Sequence, residues 1–236
     1  MNLAGWLPTT LIDYPDHVAA TLFVSGCNFR CPFCHNPELV LPDRVSSLPM
    51  LNGDEIFGDL ERRRGFLDGV VLTGGEPTLQ PDLVSFIERL KATDVLVKLD
   101  TNGSRPEVIR TLLNGGLVDY IAVDIKAPRD RYEEYGGTAA DPRDVERTIR
   151  VVVDKAPDYE FRTTVAPGLA ASDIAAIAAW IGTAQRYVLQ VFRVPPEDSK
   201  TLLDPTWAQR EALAAPALGE AWAAVASGFR DGGVRP

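Results

Sequence analysis

Residues 18–37 read VAATLFVSGCNFRCPFCHNP. The first part, Val18 to Val24, is short and apolar and ends at a serine–glycine pair, which predicts a buried β-strand. Cys27, Cys31 and Cys34 follow within one loop, and the chain has 3 cysteines in all. All of its sulfur chemistry therefore sits just past one strand end. Three readings are open. Cys31-x-x-Cys34-His35 has the spacing of a c-type haem attachment. The cysteines with His35 could make a zinc site. Cys27-x3-Cys31-x2-Cys34 can hold an iron–sulfur cluster with one iron left free. A haem usually takes a second axial ligand, for which the candidates are His17 and Met50. Adjacent Cys34 and His35 reach one zinc ion awkwardly, and no second ligand cluster completes a knuckle. Three thiolates, by contrast, serve three irons of a cubane and leave the fourth open.

The bulk composition narrows the partners. The chain has 236 residues, with 24 Lys and Arg against 33 Asp and Glu, a net charge of −9. Phosphate neutralisation needs a basic footprint, so nucleic-acid binding is disfavoured and a small ligand or another protein is expected. Arg62-Arg63-Arg64 reads as a solvated helix face. The start, MNLAGWLP, has neither a charged leader region nor a long apolar run, so neither export nor a membrane span is expected. A cytoplasmic setting keeps thiols reduced, which argues for a metal or redox role over a disulfide.

Further strands are expected at Gly69–Thr73, Val95–Asp100, Tyr120–Ile125, Tyr159–Val165 and Tyr187–Phe192. Helical segments lie between them. Asn52 with Glu55 forms an N-cap pair and Gly65 closes that helix; Pro81, Pro106 and Pro142 suit first turns, and Asp141 caps the last of these. Ser172 or Asp173 starts another. About six strand–helix repeats imply a parallel α/β sheet with helices outside, too short for a closed eightfold barrel. An open barrel or a doubly wound sheet remains, and either collects function at the C-terminal strand ends. From Pro205 the chain turns Ala-rich, predicting a helical segment broken near Pro216, and Asp231 to Pro236 read as frayed.

Gly74-Gly75-Glu76-Pro77 follows the strand GVVLT directly. Two glycines allow close backbone approach to a ligand, and Glu76 supplies a carboxylate that can accept from an amine. The cysteine triplet, with Phe33 before its last member, followed by GGEP, resembles the radical S-adenosylmethionine (SAM) superfamily. Leu11-Ile12-Asp13-Tyr14-Pro15, His35-Asn36-Pro37, Asp100-Thr101-Asn102-Gly103, Asp124-Ile125-Lys126-Ala127-Pro128, Arg162-Thr163-Thr164-Val165-Ala166-Pro167-Gly168 and Leu189-Gln190-Val191-Phe192 extend the likeness. Together they resemble the activating enzymes of glycyl-radical proteins, most of all the anaerobic ribonucleoside-triphosphate reductase activating branch. One departure is Asp16, where that pattern leads one to expect glycine.

The resemblance implies a partial (βα)6 TIM-like barrel with a sheet open on one side, a core over residues 1–205, and a C-terminal helical segment and tail over 206–236. It implies one [4Fe-4S] cluster on Cys27, Cys31 and Cys34, with SAM on the open iron. Gly74, Gly75 and Glu76 would contact the methionyl amine, Pro77 would stiffen the turn, and Phe33 with His35 would lie near the adenine. Asp124 and Lys126 share a strand face and would line the reacting site as catalytic and ligand-contacting groups. Arg162 would meet the ligand carboxylate, and Asp100, Thr101 and Asn102 the ribose. The implied partners are a glycyl-radical protein and a flavodoxin- or ferredoxin-type reductant. An enzyme acting on a small molecule or a peptide, similar to 7-carboxy-7-deazaguanine synthase, is the alternative within the family, and a zinc-stabilised non-catalytic binding module is the alternative outside it. The segment Arg129 to Thr138 is expected to be a partner contact or a plain surface helix.

Overall fold

The computed structural model describes residues 1–194 and 203–235. One sheet takes its strands in chain order: β1 (Leu3–Thr10), β2 (Ala19–Val24), β3 (Gly69–Gly74), β4 (Leu96–Thr101), β5 (Tyr120–Asp124), β6 (Tyr159–Val165), β7 (Ala184–Val191) and β8 (Phe229–Arg235). β1 runs antiparallel to β2, and each later neighbour pair is parallel. β1 and β8 are the edges and do not pair with each other, so the barrel stays open. The six expected strands are β2 to β7, and the parallel α/β architecture follows the expectation.

The helices are α1 (Pro42–Val45), α2 (Gly53–Arg62), α3 (Leu83–Lys91), α4 (Pro106–Asn114), α5 (Tyr132–Gly136), α6 (Pro142–Lys155), α7 (Ala171–Ile181) and α8 (Ala215–Val225). Their starts follow from local chemistry. Asn52 caps α2 by accepting from the Asp54 amide at 2.9 Å, and Asp141 caps α6 by accepting from the Arg143 amide at 2.8 Å. Pro106 and Pro142 open α4 and α6, where a missing N–H costs nothing. Pro81 lies outside its helix, since Asp82 is the N-cap of α3. α7 begins at Ala171, ahead of Ser172, and Asp173 caps it from inside by accepting from the Ala170 amide at 2.8 Å.

Alternation along the strands sorts the side chains. Leu22, Leu72, Leu99 and Val123 face outward and join Ile87, Ile109, Ile149 and Ile174 of the helices in the main core. Each such burial stabilises by roughly 1.5–3 kcal/mol. The inner face differs. A small cluster of Tyr14, Ala19, Val71, Tyr120 and Ala122 fills the end where the strands begin. Level with it and beyond, the inner face is charged, with Lys98 and Glu160 each 1% exposed.

Several expectations are corrected. Of the tail expected to be frayed, Asp231 to Arg235 belong to β8, which pairs with β7 from Phe229 to Arg235, and Pro236 lies outside the described residues. Pro216 does not break a helix but sits in the first turn of α8, while Pro205–Gln209 forms a separate 3-10 turn. Of the triple arginine, Arg62 and Arg64 are exposed, but Arg63 donates to the Pro8 carbonyl and to Thr9 Oγ1, tying α2 to β1. Asp16 has φ 62°, the left-handed conformation that explains why glycine was expected there.

Candidate active site

The cysteine loop leaves β2 at the strand ends and is held on three sides. Gly26, with φ 93°, donates to the Leu39 carbonyl at 2.7 Å and accepts from the Glu76 amide at 2.8 Å. Gly75 must be glycine because a Cβ there would lie 2.2 Å from the Gly26 carbonyl oxygen. The GG pair therefore brings the second strand end against the first, and this is a backbone-to-backbone approach. The third side is α5. The Arg30 amide donates to the Gly136 carbonyl at 2.8 Å, and Phe29 packs edge-on against Tyr132. Tyr132 and Tyr135 are fully buried. The buried side of the segment Arg129 to Thr138 thus forms the wall behind the cysteine loop, while Arg129, Asp130, Glu133 and Glu134 face solvent.

A cavity of about 380 Å³ opens at the strand ends. Cys27, Cys31 and Cys34 line it together with Phe33, His35, Gly74, Gly75, Glu76, Asp100, Thr101, Asn102, Asp124 and Lys126. Pro77 and Arg162 do not. Pro77 is buried in the turn that follows Glu76. Arg162 lies beneath the cavity, donating from Nε to Asp124 at 2.9 Å and from a terminal nitrogen to Asp100 at 3.2 Å. Nε and one terminal nitrogen of its fork are thus paired with the protein's own carboxylates. Lys98 engages the other oxygen of Asp100 at 2.5 Å, and Lys126 engages Asp124 at 3.0 Å. The result is an alternating row, Lys98, Asp100, Arg162, Asp124, Lys126.

Electrostatics follow from that row. Burial alone would raise the Asp124 carboxyl, but Arg162 and Lys126 outweigh it and hold it well below the usual range. Burial would likewise strip the proton from Lys126, but Asp124 and then Cys31 keep it cationic. Lys126 thus places a fixed positive charge beside the cysteines. Burial pushes Cys27 up to about 12 and Cys31 to about 11, and raises Cys34. Such thiols ionise when a cation arrives, so metal binding and proton release are coupled.

Glu76 is 0% exposed. One oxygen accepts from the Thr78 amide at 3.1 Å, the Thr78 hydroxyl at 2.5 Å and the Thr101 hydroxyl at 2.7 Å; the other accepts from the Asn102 amide at 2.7 Å. It is a brace between the GGEP turn and the β4 turn. Asn102 passes the brace on, donating to Asn28 at 3.1 Å and lying 3.8 Å from Cys27 Sγ. His35 is exposed and leans on the Phe192 ring at 5.4 Å, and partial burial lowers its basicity.

The sequence reading missed Lys98, Gln190 and Arg193 among the groups in or under the cavity. Lys98 could have been found, since it alternates with Asp100 as Asp124 does with Lys126. Gln190 and Arg193 line the cavity from the end of β7; Gln190 sits in the Leu189–Phe192 stretch that carries part of the likeness, and nothing local marks Arg193.

The three thiols line one cavity, and three thiolates, one per iron, are the donor set that a cluster with an open fourth iron requires.

The chain belongs to the radical SAM superfamily, whose family model matches residues 21–181. It is a radical SAM enzyme, and membership implies a [4Fe-4S] cluster and SAM. It is 36% identical over 203 residues to a Methanocaldococcus jannaschii protein named "Putative glycyl-radical enzyme activating enzyme", covering 84% of this chain and 81% of that one. It is 37% identical to a 7-carboxy-7-deazaguanine synthase of Methanopyrus kandleri, covering 44% of this chain and 47% of that protein. It is 33% identical to a pyruvate formate-lyase-activating enzyme of Listeria monocytogenes, covering 44% and 45%. In fold it is similar to coproporphyrinogen III oxidase of Escherichia coli, with a TM-score of 0.61 at 11% identity, over 92% of this chain and 54% of that one. No helix among the described residues is long and apolar enough to cross a membrane.

Proposed function

We propose that this enzyme generates a 5′-deoxyadenosyl radical and uses it to abstract hydrogen from a glycine of a partner glycyl-radical enzyme of the anaerobic ribonucleotide reductase type. The observation that carries this reading is the 36% identity, sustained over 84% of the chain, to a protein named for glycyl-radical enzyme activation. When bound, the cluster supplies an electron to SAM and so releases methionine and the radical.

The chain's own residues would do the rest. Cys27, Cys31 and Cys34 would hold the cluster. Gly74 and Gly75 would present backbone to the methionyl end, at the edge of the brace that Glu76 forms. Lys126, cationic beside the cysteines, would attract the SAM carboxylate, with Asp124 fixing its ammonium. Thr101 and Asn102 would offer polar groups to the ribose, and Phe33 and His35 rings to the adenine. The open side between β1 and β8 would admit a polypeptide loop, and a flavodoxin- or ferredoxin-type protein would deliver the electron.

The test is anaerobic iron–sulfide reconstitution, then EPR of the reduced protein with and without SAM, then incubation with candidate partners. A cluster signal altered by SAM, followed by a glycyl-radical doublet on the partner, supports the proposal. A SAM-responsive cluster that yields no radical on any glycyl-radical protein, but turns over a small molecule, would transfer the assignment to the synthase type. That alternative is favoured by the 37% match over roughly half of the chain.

A further inference from the structure

The cysteine loop has little regular structure of its own, so packing must place Cys31 and Cys34. Between them lie Pro32 and Phe33, and both are held by residues from the other end of the chain. The Asp204 amide donates to the Pro32 carbonyl at 3.0 Å. Trp207, in the 3-10 turn Pro205–Gln209 and 3% exposed, sets its ring 6.0 Å from Phe33 and 4.9 Å from Tyr135. Phe33 and Tyr135 close the triangle at 6.0 Å. Arg210 covers the indole at 4.1 Å and pairs with Glu134, the neighbour of Tyr135, at 3.2 Å. Tyr135 is itself anchored, its hydroxyl donating to the Pro167 carbonyl at 3.2 Å.

Phe33 lines the cavity and Trp207 does not. The ring from the C-terminal segment therefore acts on the site through Phe33 and through the peptide between two cysteines. We propose that Trp207 is a positioning residue for the cluster loop, and that Asp204–Arg210 belongs to the active site as its outer cap. The cap fixes the Phe33 ring against the ligand and keeps water from the Cys31–Cys34 side of the cluster. Groups that orient metal ligands and control solvent access tune affinity and stability of the centre without touching it. The inference rests on the reading that Cys27, Cys31 and Cys34 hold the cluster.

The experiment compares Trp207→Ala, Trp207→Phe and Trp222→Ala with the unaltered full chain after anaerobic reconstitution. Trp222 is the control because it lies in the same C-terminal segment but packs on Tyr187 and Phe229, away from the cysteine loop. The readouts are iron per chain, SAM affinity, the SAM-induced EPR change, the rate of cluster bleaching in air, and thermal stability. Trp207→Ala is expected to weaken SAM binding and speed bleaching by about tenfold each, the low end for supporting residues of metal sites. Trp207→Phe should recover most of both. Trp222→Ala should lower the melting temperature yet leave SAM affinity and bleaching unchanged. If Trp207→Ala does not fold, Trp207→Leu keeps an apolar side chain and carries the same comparison. Bleaching and SAM affinity unchanged in a folded Trp207 variant, or equally degraded in Trp222→Ala, would overturn the proposal. A wild-type chain that assembles no cluster would instead sink the reading on which it rests.

Discussion

Replacing Glu76 by Gln tests whether the GGEP glutamate is a structural brace. The two side chains are nearly isosteric, so no cavity forms and only hydrogen bonding changes. The carboxylate accepts four donors, three on one oxygen and the Asn102 amide on the other. A carboxamide oxygen can keep the three threonine contacts, which turns its NH2 onto the Asn102 N–H at a site 2.7 Å away. Two donors then face each other in a fully buried place. Losing a hydrogen bond to a charged group costs about 1.5–3 kcal/mol, and a buried unsatisfied donor adds about 1–3, so a total near 3–4 kcal/mol is expected. For a chain of this size that corresponds to a melting-temperature drop of roughly 6–16 °C. Because Asn102 also holds Asn28 and lies beside Cys27, the reduced-cluster EPR signal should change shape in the same variant. Thermal unfolding by circular dichroism under argon, with EPR on the same sample, makes both measurements. A drop below 2 °C with an unaltered signal would refute the brace and return Glu76 to the role of a free acceptor.

Arg162→Met leaves Asp100 and Asp124 each with one lysine, and breaking a buried pair costs about 3–5 kcal/mol. The Asp124 carboxyl is held low in the folded chain, so its contribution is present above the unfolded value near 3.8 and lost as pH falls through the folded value. The stability gap between Arg162→Met and wild type, measured by urea titration, should therefore be full at pH 7 and narrow below pH ~4; a gap that widens on acidification would contradict the pairing. Asp16→Gly relieves a φ of 62° and should raise stability by about 0.5–1 kcal/mol, read as a higher urea midpoint with unchanged slope. Gly75→Ala puts a Cβ 2.2 Å from the Gly26 oxygen, so the strand ends must part. Iron retained after reconstitution should fall severalfold, and normal loading would show that the GG approach is dispensable.

What was legible in the sequence was whatever repeats locally. β2 to β7 are dense in aliphatic and β-branched residues because both their faces are covered, and short apolar runs between helices announce themselves. The edges do not. β1 carries Gly5 and Pro8 and breaks register between Leu3 and Gly5 and again between Leu7 and Thr10, which only an edge strand tolerates. β8 reads FRDGGVR, a charged loop by composition. Its Gly232 is demanded from outside the strand, since a Cβ would meet the Tyr187 carbonyl at 2.0 Å and Trp222 at 2.5 Å. The site shows the same divide. Alternation put Asp124 with Lys126 on one face, but did not give the registry that sets Asp124 opposite Arg162. That pairing places Arg162 in the floor under the cavity.

The floor also explains how an open barrel keeps a cavity. An inner wall of aliphatic side chains would gain by collapsing onto itself, as the layers of closed barrels do. Here each carboxylate in the row lies between two cations, Asp100 between Lys98 and Arg162, Asp124 between Arg162 and Lys126. Moving any one inward would leave its partner unpaired, at a cost of several kcal/mol. The row therefore fixes its own height in the barrel and holds space above it. It ends at Lys126, the cation of the row that acts on all three cysteines. Charge-neutral substitution of one pair should reveal this directly. Lys98→Met with Asp100→Leu removes the lower pair but leaves Asp124 between Arg162 and Lys126, so cluster assembly should persist. Lys126→Met with Asp124→Leu removes the upper pair and the cation facing Cys31, so SAM affinity should fall by at least tenfold with little change in melting temperature. Equal effects of the two double variants on SAM binding, measured by equilibrium dialysis of reconstituted protein, would show that the row supports the site as a whole and not through its upper end.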